Sequence, residues 1–290
     1  MKNLSWFCTV FLLVLLATSA RAGASQERTK PTVVRGEIPF RLFDGFLIVM
    51  DGRIGERGKL KFVLDTGVTY SVIDRKLADR IPVPRRLSGE ILSFDKTIKP
   101  EWIEVPEIEF GPIRMTNFSM MVGDLRYFQS YATHVDAVIG LDLLRLSSFS
   151  IDYHTRKVTF GPLNTDSGVP IEVNSICVTV PLMLGDRKVR LIVDTGAQSL
   201  ILYEDSVATY LPQLGMERET SGISVAGWAF SKRGFIRDAT LGSTKLNGTV
   251  FLVKRPQHAA FANIDGYLGT AALRAQHIHF NFETNALSWK

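Results

Sequence analysis

A chain of 290 residues is long enough to form one large domain or two smaller ones. Apolar residues make up 46% of the chain and charged residues 22%, which is typical of a globular protein with a substantial core. The formal charge of +5 is small for this length, and the basic residues are scattered rather than clustered, so we predict no nucleic-acid partner.

The N-terminus has the features of a secretory signal peptide. Lys2 precedes an apolar stretch from Trp6 to Ala17, and Ala20-Arg21-Ala22 fits an Ala-x-Ala cleavage site. We therefore predict that residues 1–22 are a signal peptide, that the protein is secreted or periplasmic, and that no stable membrane span is left after cleavage. Without cleavage, the segment would act as a membrane anchor. The polar residues 23–35 are predicted to form a flexible mature N-terminus.

Short strand patterns alternate with turn residues from Ile38 onward. A first hairpin ends at Leu64 and is followed directly by Asp65. Asp74 is placed to cap a helix over residues 75–81 that stops before Pro82. Further elements are predicted as strands near residues 103–110, 115–122, 137–139, 149–153 and 157–160, with one or two helical turns after Gly140.

A linker rich in turn-forming residues divides the chain into two lobes. We place the N-terminal lobe at residues 36–161, the linker at 162–170 and the C-terminal lobe at 171–290. The number of short strands in each part predicts an all-β protein.

The two lobes are copies of one unit. Phe62-Val63-Leu64-Asp65-Thr66-Gly67 in the first lobe matches Leu191-Ile192-Val193-Asp194-Thr195-Gly196 in the second, at a shift of 129 residues, the difference between positions 65 and 194. The same shift places Asp136 on Asp265, and Gly140 on Gly269. We predict two homologous, β-barrel-like lobes related by a pseudo-two-fold axis.

The repeated Asp-Thr-Gly has a clear chemical use if Asp65 and Asp194 meet. Two carboxylates about 3 Å apart share one proton over a wide pH range, so one member is a base and the other an acid. The base can activate a water molecule while the acid protonates a carbonyl oxygen. Gly67 and Gly196 let backbone N–H groups approach the carboxylates, and the hydroxyls of Thr66 and Thr195 can brace one turn against the other.

These motifs resemble those of aspartic proteases, in particular retropepsin-like proteins of the bacterial aspartyl protease type. The residues that carry the resemblance are Asp-Thr-Gly-Ala-Gln-Ser at 194–199 and Asp-Ala-Val-Ile-Gly-Leu-Asp-Leu-Leu at 136–144. The resemblance covers about residues 36–290. It implies the acid protease fold, with a cleft between the lobes and the segments ending at Gly140 and Gly269 crossing beneath the active turns.

The function that the resemblance implies is that of an aspartic endopeptidase, a hydrolase of peptide or protein substrates with Asp65 and Asp194 as the catalytic pair. It needs no cofactor and no metal. One chain supplies both lobes, so we expect a monomer. The family's flap, a hairpin that closes over substrate, falls at residues 88–99, at 221–234, or at both. Val68 stands where Ala or Ser is usual, and Tyr70 either narrows a pocket or packs within the lobe.

Other functional interpretations have weaker support. The alternative is an inactive peptide-binding protein of the cell envelope with the same fold. A metal hydrolase is disfavoured because His277 and His279, which we interpret as surface histidines of an outer strand, lack a third ligand in the sequence. Cys177, the only cysteine left after signal cleavage, has apolar neighbours and is predicted to be a core residue rather than a nucleophile.

Overall fold

The structure is a computed structural model. It describes a set of segments that covers most of the chain, namely residues 9–11, 16–17, 32–33, 35–87, 89, 91–93, 96–131, 133–162, 168–208, 215–224, 227–257 and 261–290.

The first half of the chain is built almost entirely from strands. Three short strands precede the lobe: β1 Thr9–Phe11, β2 Leu16–Ala17 and β3 Thr32–Val33. The strands of the lobe itself are β4 Gly36–Phe43, β5 Leu47–Ile54, β6 Arg57–Leu64, β7 Val72–Asp74, β8 Arg85–Leu87, β9 Ile91–Ser93, β10 Lys96–Ile98, β11 Glu101–Phe110, β12 Ile113–Gly123, β13 Ala137–Ile139, β14 Phe149–Asp152 and β15 Lys157–Phe160.

The second half repeats this strand-rich pattern. Its strands are β16 Val169–Pro170, β17 Glu172–Val173, β18 Val178–Leu184, β19 Arg187–Asp194, β20 Leu200–Tyr203, β21 Gly215–Ser224, β22 Gly227–Leu241, β23 Thr244–Val253, β24 Gly266–Gly269, β25 His277–Asn281 and β26 Ala286–Trp289. The helices are short: α1 Arg75–Ala78, α2 Leu141–Leu144, and 3-10 turns at Arg126–Tyr131, Asp205–Val207 and Thr270–Leu273.

Strand register confirms the internal repeat. In the first lobe, β13 runs parallel to β6, with Val138 opposite Val63. In the second lobe, β24 runs parallel to β19, with Tyr267 opposite Ile192. Both members of the second pair lie 129 residues after their counterparts in the first. Each Asp-Thr-Gly therefore follows a strand held between two neighbours in the same way, and the protein consists of two homologous, barrel-like β lobes.

One sheet joins the two lobes. Of the fourteen strands that the described residues contribute to it, six form the junction and are called the joining sheet below. They lie in the order β16-β26-β25-β14-β15-β4, and β14 pairs antiparallel with β25. Ser150 lies opposite His279, its own equivalent under the 129-residue shift, so the pseudo-two-fold axis passes between these residues. Beside them the rings of Phe149 and Phe280 stack with centroids 4.7 Å apart.

This joining sheet corrects the prediction that His277 and His279 lie on an outer strand. Strand β25 has a neighbour on each side, because the last hairpin of each lobe uses the other lobe to pair its free edge. Both histidine side chains are partly exposed, and their parallel rings lie 6.4 Å apart.

Aromatic residues fill the core beneath the two Asp-Thr-Gly turns, at residues 65–67 and 194–196, which are called the active turns below. Phe62, Phe110, Phe149, Phe160 and Phe280 are completely buried. The Phe110 ring lies edge-on to Phe160, at 5.7 Å, and 6.2 Å from Phe62. Burying one such side chain contributes about 1.5–3 kcal/mol. Leu64 of β6 and Val193 of β19 belong to the same core, so both strands are firmly anchored.

Helix α1 differs in length from its prediction. Asp74 accepts a hydrogen bond from the Lys76 N–H, which confirms the cap. The helix ends at Ala78 rather than Ile81, because the N–H groups of Arg80 and Ile81 donate to carbonyls only three residues back and tighten the chain into a turn.

The N-terminal strands pair with hairpins of both lobes. β1 runs parallel to β21 and β2 antiparallel to β9, while β3, within the stretch predicted to be flexible, pairs with β12. The rest of residues 1–22, residues 163–167 of the predicted linker, and the tips of the two predicted flap hairpins lie outside the described residues. No helix in the described segments combines the length and apolar character needed to cross a membrane.

Candidate active site

The two Asp-Thr-Gly turns meet at the pseudo-two-fold axis. Asp65, Thr66, Asp194 and Thr195 are all completely buried. They are delivered there by β6 and β19, whose last apolar residues are themselves buried. The structure thus brings together the residues that the sequence assigned to one site.

Thr66 and Thr195 link the two turns through four hydrogen bonds. The Thr66 N–H donates to the Thr195 hydroxyl at 3.0 Å, and the Thr195 N–H donates to the Thr66 hydroxyl at 3.1 Å. The Thr66 hydroxyl donates to the Val193 carbonyl at 2.8 Å, and the Thr195 hydroxyl to the Leu64 carbonyl at 3.1 Å. Each threonine therefore donates and accepts across the interface between the lobes, and this network fixes the relative position of the two aspartates.

Gly67 and Gly196 have two roles at the carboxyl pair. The Gly67 N–H donates to Asp65 Oδ1 at 2.8 Å, and the Gly196 N–H donates to Asp194 Oδ1 at 2.7 Å. Each glycine also faces the carboxyl group of the opposite lobe. A Cβ atom at position 67 would lie 2.5 Å from Asp194 Cγ, and one at position 196 would lie 2.7 Å from Asp65 Oδ2. Any larger residue would push the carboxyl groups apart.

The second oxygen of each carboxyl group accepts no hydrogen bond from the described residues. Asp65 Oδ2 and Asp194 Oδ2 are buried, and no N–H or O–H donor from the described residues reaches them. Burial, followed by the charge of Asp194, raises the pKa of Asp65 well above its ordinary value of 3.8. Burial also raises the pKa of Asp194 to about 7, against the hydrogen bond from Gly196. The pair therefore keeps a shared proton well above the pH at which a free aspartate loses its own.

The segments that end at Gly140 and Gly269 pass directly behind the two turns. A Cβ atom at Gly140 would lie 2.7 Å from the Val68 carbonyl oxygen. The corresponding atom at Gly269 would lie 2.5 Å from the Ala197 carbonyl oxygen. Only glycine permits this close approach of two backbones, so both glycines support the turns as the sequence suggested.

Two further aspartates support the site from behind, and sequence reasoning gave them no role. Asp136 accepts the Lys61 N–H at 2.8 Å, while Asp265 accepts the Arg190 N–H at 2.8 Å. These bonds tie the start of each crossing segment to the strand that leads into Asp65 or Asp194. The 129-residue shift that aligned Asp136 with Asp265 was the available signal, because an acid that recurs at an equivalent position usually has a repeated partner.

The turns differ in their side chains. Val68, completely buried, packs where the second lobe has Ala197. The Thr69 hydroxyl donates to the Ile176 carbonyl at 2.6 Å, which adds another contact between the halves. Tyr70 is partly exposed and meets the ring of Trp102 edge-on at 5.3 Å, so it packs within its own lobe.

The two predicted flap hairpins are present as paired strands. β9 and β10 pair antiparallel within residues 88–99, and β21 pairs with β22 across residues 221–234. Among the described residues, no group of three or more His, Cys, Asp or Glu side chains is placed to hold a metal ion.

Comparison with known families decides the assignment. A family model described as aspartyl protease matches the chain twice, over residues 50–143 and 180–272. The two ranges together cover more than half of the chain, and each contains one complete Asp-Thr-Gly. The chain belongs to the aspartyl protease family. A comparison with curated proteins found no match.

The family match coincides with the structural repeat. Its two ranges end at Leu143 and Ala272, which are 129 residues apart, the same shift that relates the two aspartates. Each range of the aspartyl protease match begins one strand before β6 or β19, in β5 or β18, and ends at the residues just after the supporting glycine. The joining sheet lies mainly outside both ranges, so the two matches describe the lobes around the site.

The threonine network predicts a measurable loss of stability. Thr195→Val keeps the side-chain volume but leaves the Thr66 N–H and the Leu64 carbonyl without their partner. We expect urea unfolding to show a loss of about 2–4 kcal/mol in the free energy of unfolding, and a similar loss for Thr66→Val. The control, Thr195→Ser, keeps the hydroxyl and should lose only about 1 kcal/mol. Equal stability of the Val and Ser variants would show that these bonds do not hold the lobes together.

Proposed function

We propose that the protein is an aspartic endopeptidase that hydrolyses peptide bonds with a water activated between Asp65 and Asp194. The observation that carries the proposal is the symmetric state of the two buried carboxyl groups. Each has one oxygen held by a glycine N–H and a second oxygen that receives no donor from the described protein. Such a pair is placed to bind one water and to exchange one proton with it.

The reaction follows from the shared proton. The ionised carboxylate accepts a proton from the bound water, and the water oxygen forms a bond to the carbonyl carbon of the substrate. The protonated carboxyl group gives its proton to the carbonyl oxygen, which produces a neutral gem-diol. As this intermediate collapses, the C–N bond breaks and the leaving nitrogen takes the proton that the pair holds. At the same time one hydroxyl of the gem-diol gives its proton to the other carboxylate as the C=O bond forms, so the pair returns to its starting state with one proton.

Other nucleophiles are poorly suited to the same role. Burial raises the pKa of the Cys177 thiol to about 11, so this thiol stays protonated at neutral pH and is a poor nucleophile. The partly exposed His277 contacts Asp152 at 3.7 Å in the joining sheet, remote in the fold from the two turns. The aspartate pair is therefore the best supported reactive group.

The substrate we propose is an extended peptide in the cleft between the lobes, and the working unit is a monomer, since one chain carries both aspartates. The match to the aspartyl protease family supports a peptide substrate. We also propose that the protein is exported, on the basis of the apolar segment from Trp6 to Ala17 in the sequence.

A peptide library tests the proposed activity. The purified protein should cleave a subset of peptides somewhere across about pH 3 to 8, and a statine-type inhibitor, whose hydroxyl group mimics the gem-diol, should stop that cleavage. Cleavage that resists the inhibitor but yields to a metal chelator would contradict the mechanism. A protein that binds library peptides without cleaving any would instead be the inactive peptide-binding alternative.

A further inference from the structure

Another acidic side chain, Asp142, is hydrogen-bonded to Ser71 in the segment that follows Asp65. Asp142 Oδ2 accepts the Ser71 N–H at 2.9 Å, and Oδ1 accepts the Ser71 hydroxyl at 2.7 Å. The Ser71 oxygen in turn accepts the Gly140 N–H at 3.0 Å. Ser71 is completely buried and Asp142 is partly buried, so this short chain of bonds is largely shielded from solvent.

The start of α2 holds the same turn at two further points. The Leu141 N–H donates to the Val68 carbonyl at 2.8 Å, and the Asp142 N–H donates to the Thr69 carbonyl at 3.0 Å. Val68, Thr69 and Ser71 are therefore all fixed by one segment, within six residues of Asp65. Any movement of Asp142 would be passed directly to the turn.

The second lobe has no equivalent of this acidic contact. Under the 129-residue shift, Ser71 corresponds to Leu200 and Asp142 to Ala271. There the link is made by backbone, with the Gly269 N–H donating to the Ser199 carbonyl at 3.1 Å. The Asp65 and Asp194 carboxyl groups thus accept equivalent hydrogen bonds from Gly67 and Gly196, but only the Asp65 turn is also held by an aspartate at the Asp142 position.

We propose that Asp142 is a positioning residue, which holds the Asp65 turn through Ser71 and thereby sets the orientation of the Asp65 carboxyl group during catalysis. The inference rests on the proposed peptidase function and assigns to one lobe a support that the other lobe lacks. Misplacing a catalytic group by a fraction of an ångström lowers the rate of the chemical step more than it weakens substrate binding.

The protonation state of Asp142 gives this role a distinctive pH dependence. Burial raises the pKa of Asp142 to about 6, against the bonds from Ser71 and the charge of Arg145. The other ionisable groups near Asp142 lie on three segments. Arg145 lies on the same segment as Asp142, Asp65 and Tyr70 lie on the adjoining turn, and Cys177 follows Ile176 in the bend before β18 that contacts Thr69. The ionised form accepts both donors of Ser71. The protonated form offers one acceptor and one donor, as an asparagine does.

Asp142→Asn therefore should resemble the wild type at acid pH and differ from it at neutral pH. We expect kcat for a library-derived peptide to fall about tenfold near pH 7, with KM changed less than about twofold, and the two proteins to converge near pH 4. Asp186→Asn, in the exposed turn between β18 and β19, is the matched control, because it makes the same change of an aspartate to an asparagine and leaves the Ser71 bonds intact. Its kcat should equal that of the wild type at both pH values.

A second variant keeps the test informative if Asp142→Asn folds poorly. Ser71→Ala removes the hydroxyl link and should also lower kcat. The double variant, Ser71→Ala with Asp142→Asn, should lose no more activity than Asp142→Asn alone, because both changes break the same chain of hydrogen bonds. A kcat ratio that does not vary with pH, or an effect confined to KM, would overturn the positioning role while leaving the proposed function intact. A wild-type protein that cleaves no peptide would overturn both.

Discussion

Asp65→Asn and Asp194→Asn are each expected to lower kcat for peptide hydrolysis by at least about 10³-fold, while the protein stays folded. An asparagine at either position still accepts the glycine N–H, so the turn keeps its shape. It cannot, however, carry the proton that the pair must hold and release. The measurement is kcat for a peptide cleaved by the wild type, with circular dichroism to verify the fold.

The double variant sharpens this prediction. Because the two carboxyl groups act as one unit, Asp65→Asn with Asp194→Asn should lose no more activity than either single variant. Asp186→Asn, an exposed turn residue of the second lobe, is the matched control and should retain full activity. If one of the active-site single variants retained a substantial part of the activity, the site would consist of a single aspartate.

The same pair predicts an unusual dependence of stability on pH. Both carboxyl groups have a higher pKa in the folded chain than the ordinary value of 3.8, so the folded protein binds their protons more tightly than the unfolded chain does. The contribution of Asp194 to stability is therefore fully present below about pH 3.8 and is lost as the pH rises through about 7. The contribution of Asp65 is lost in the same sense, as the pH rises through its own raised pKa. From Asp194 alone the loss amounts to about 4 kcal/mol.

Replacing both aspartates with asparagine should remove this loss. We expect the double variant to exceed the wild type by about 4 kcal/mol in free energy of unfolding near pH 8, and to show no advantage near pH 4. Urea unfolding at a series of pH values measures the difference directly, and Asp186→Asn should follow the wild-type curve. Parallel curves for the wild type and the double variant would mean that neither carboxyl group is strained by burial in the folded protein.

The sequence was sufficient to predict the aspartate pair and the lobe that surrounds each member. The apolar runs before Asp65 and Asp194 mark buried strands, and a constant shift of 129 residues makes the two strands equivalent. That the segments ending at Gly140 and Gly269 pass beneath the turns was implied by the resemblance to aspartic proteases, and the close approach of the backbones there agrees with it.

The joining sheet could not be predicted, because nothing in the local pattern of β25 indicates which strand will cover its edge. Its pairing with β14 depends on how the two lobes dock. The Ser71–Asp142 contact is hidden for a different reason. It joins residues 71 positions apart and is missing from the repeat, so neither periodicity nor the shift reveals it.

The contact of each glycine with the opposite carboxyl group was also missed. The sequence indicates that Gly67 and Gly196 follow the aspartates in tight turns. Only the docked lobes show that each lies against the aspartate of the other half. Each glycine therefore leaves room for the carboxyl group of the opposite lobe, which explains why both glycines are needed at a single site.

Titration of the protein with a statine-type inhibitor tests most directly whether the two aspartates of one chain form one site. Isothermal calorimetry should show one inhibitor bound per chain of the wild type, and binding should be weakened at least about 100-fold in both Asp65→Asn and Asp194→Asn, since the inhibitor's hydroxyl must contact both carboxyl groups. A stoichiometry of one inhibitor per two chains, or unchanged affinity in either variant, would contradict the account.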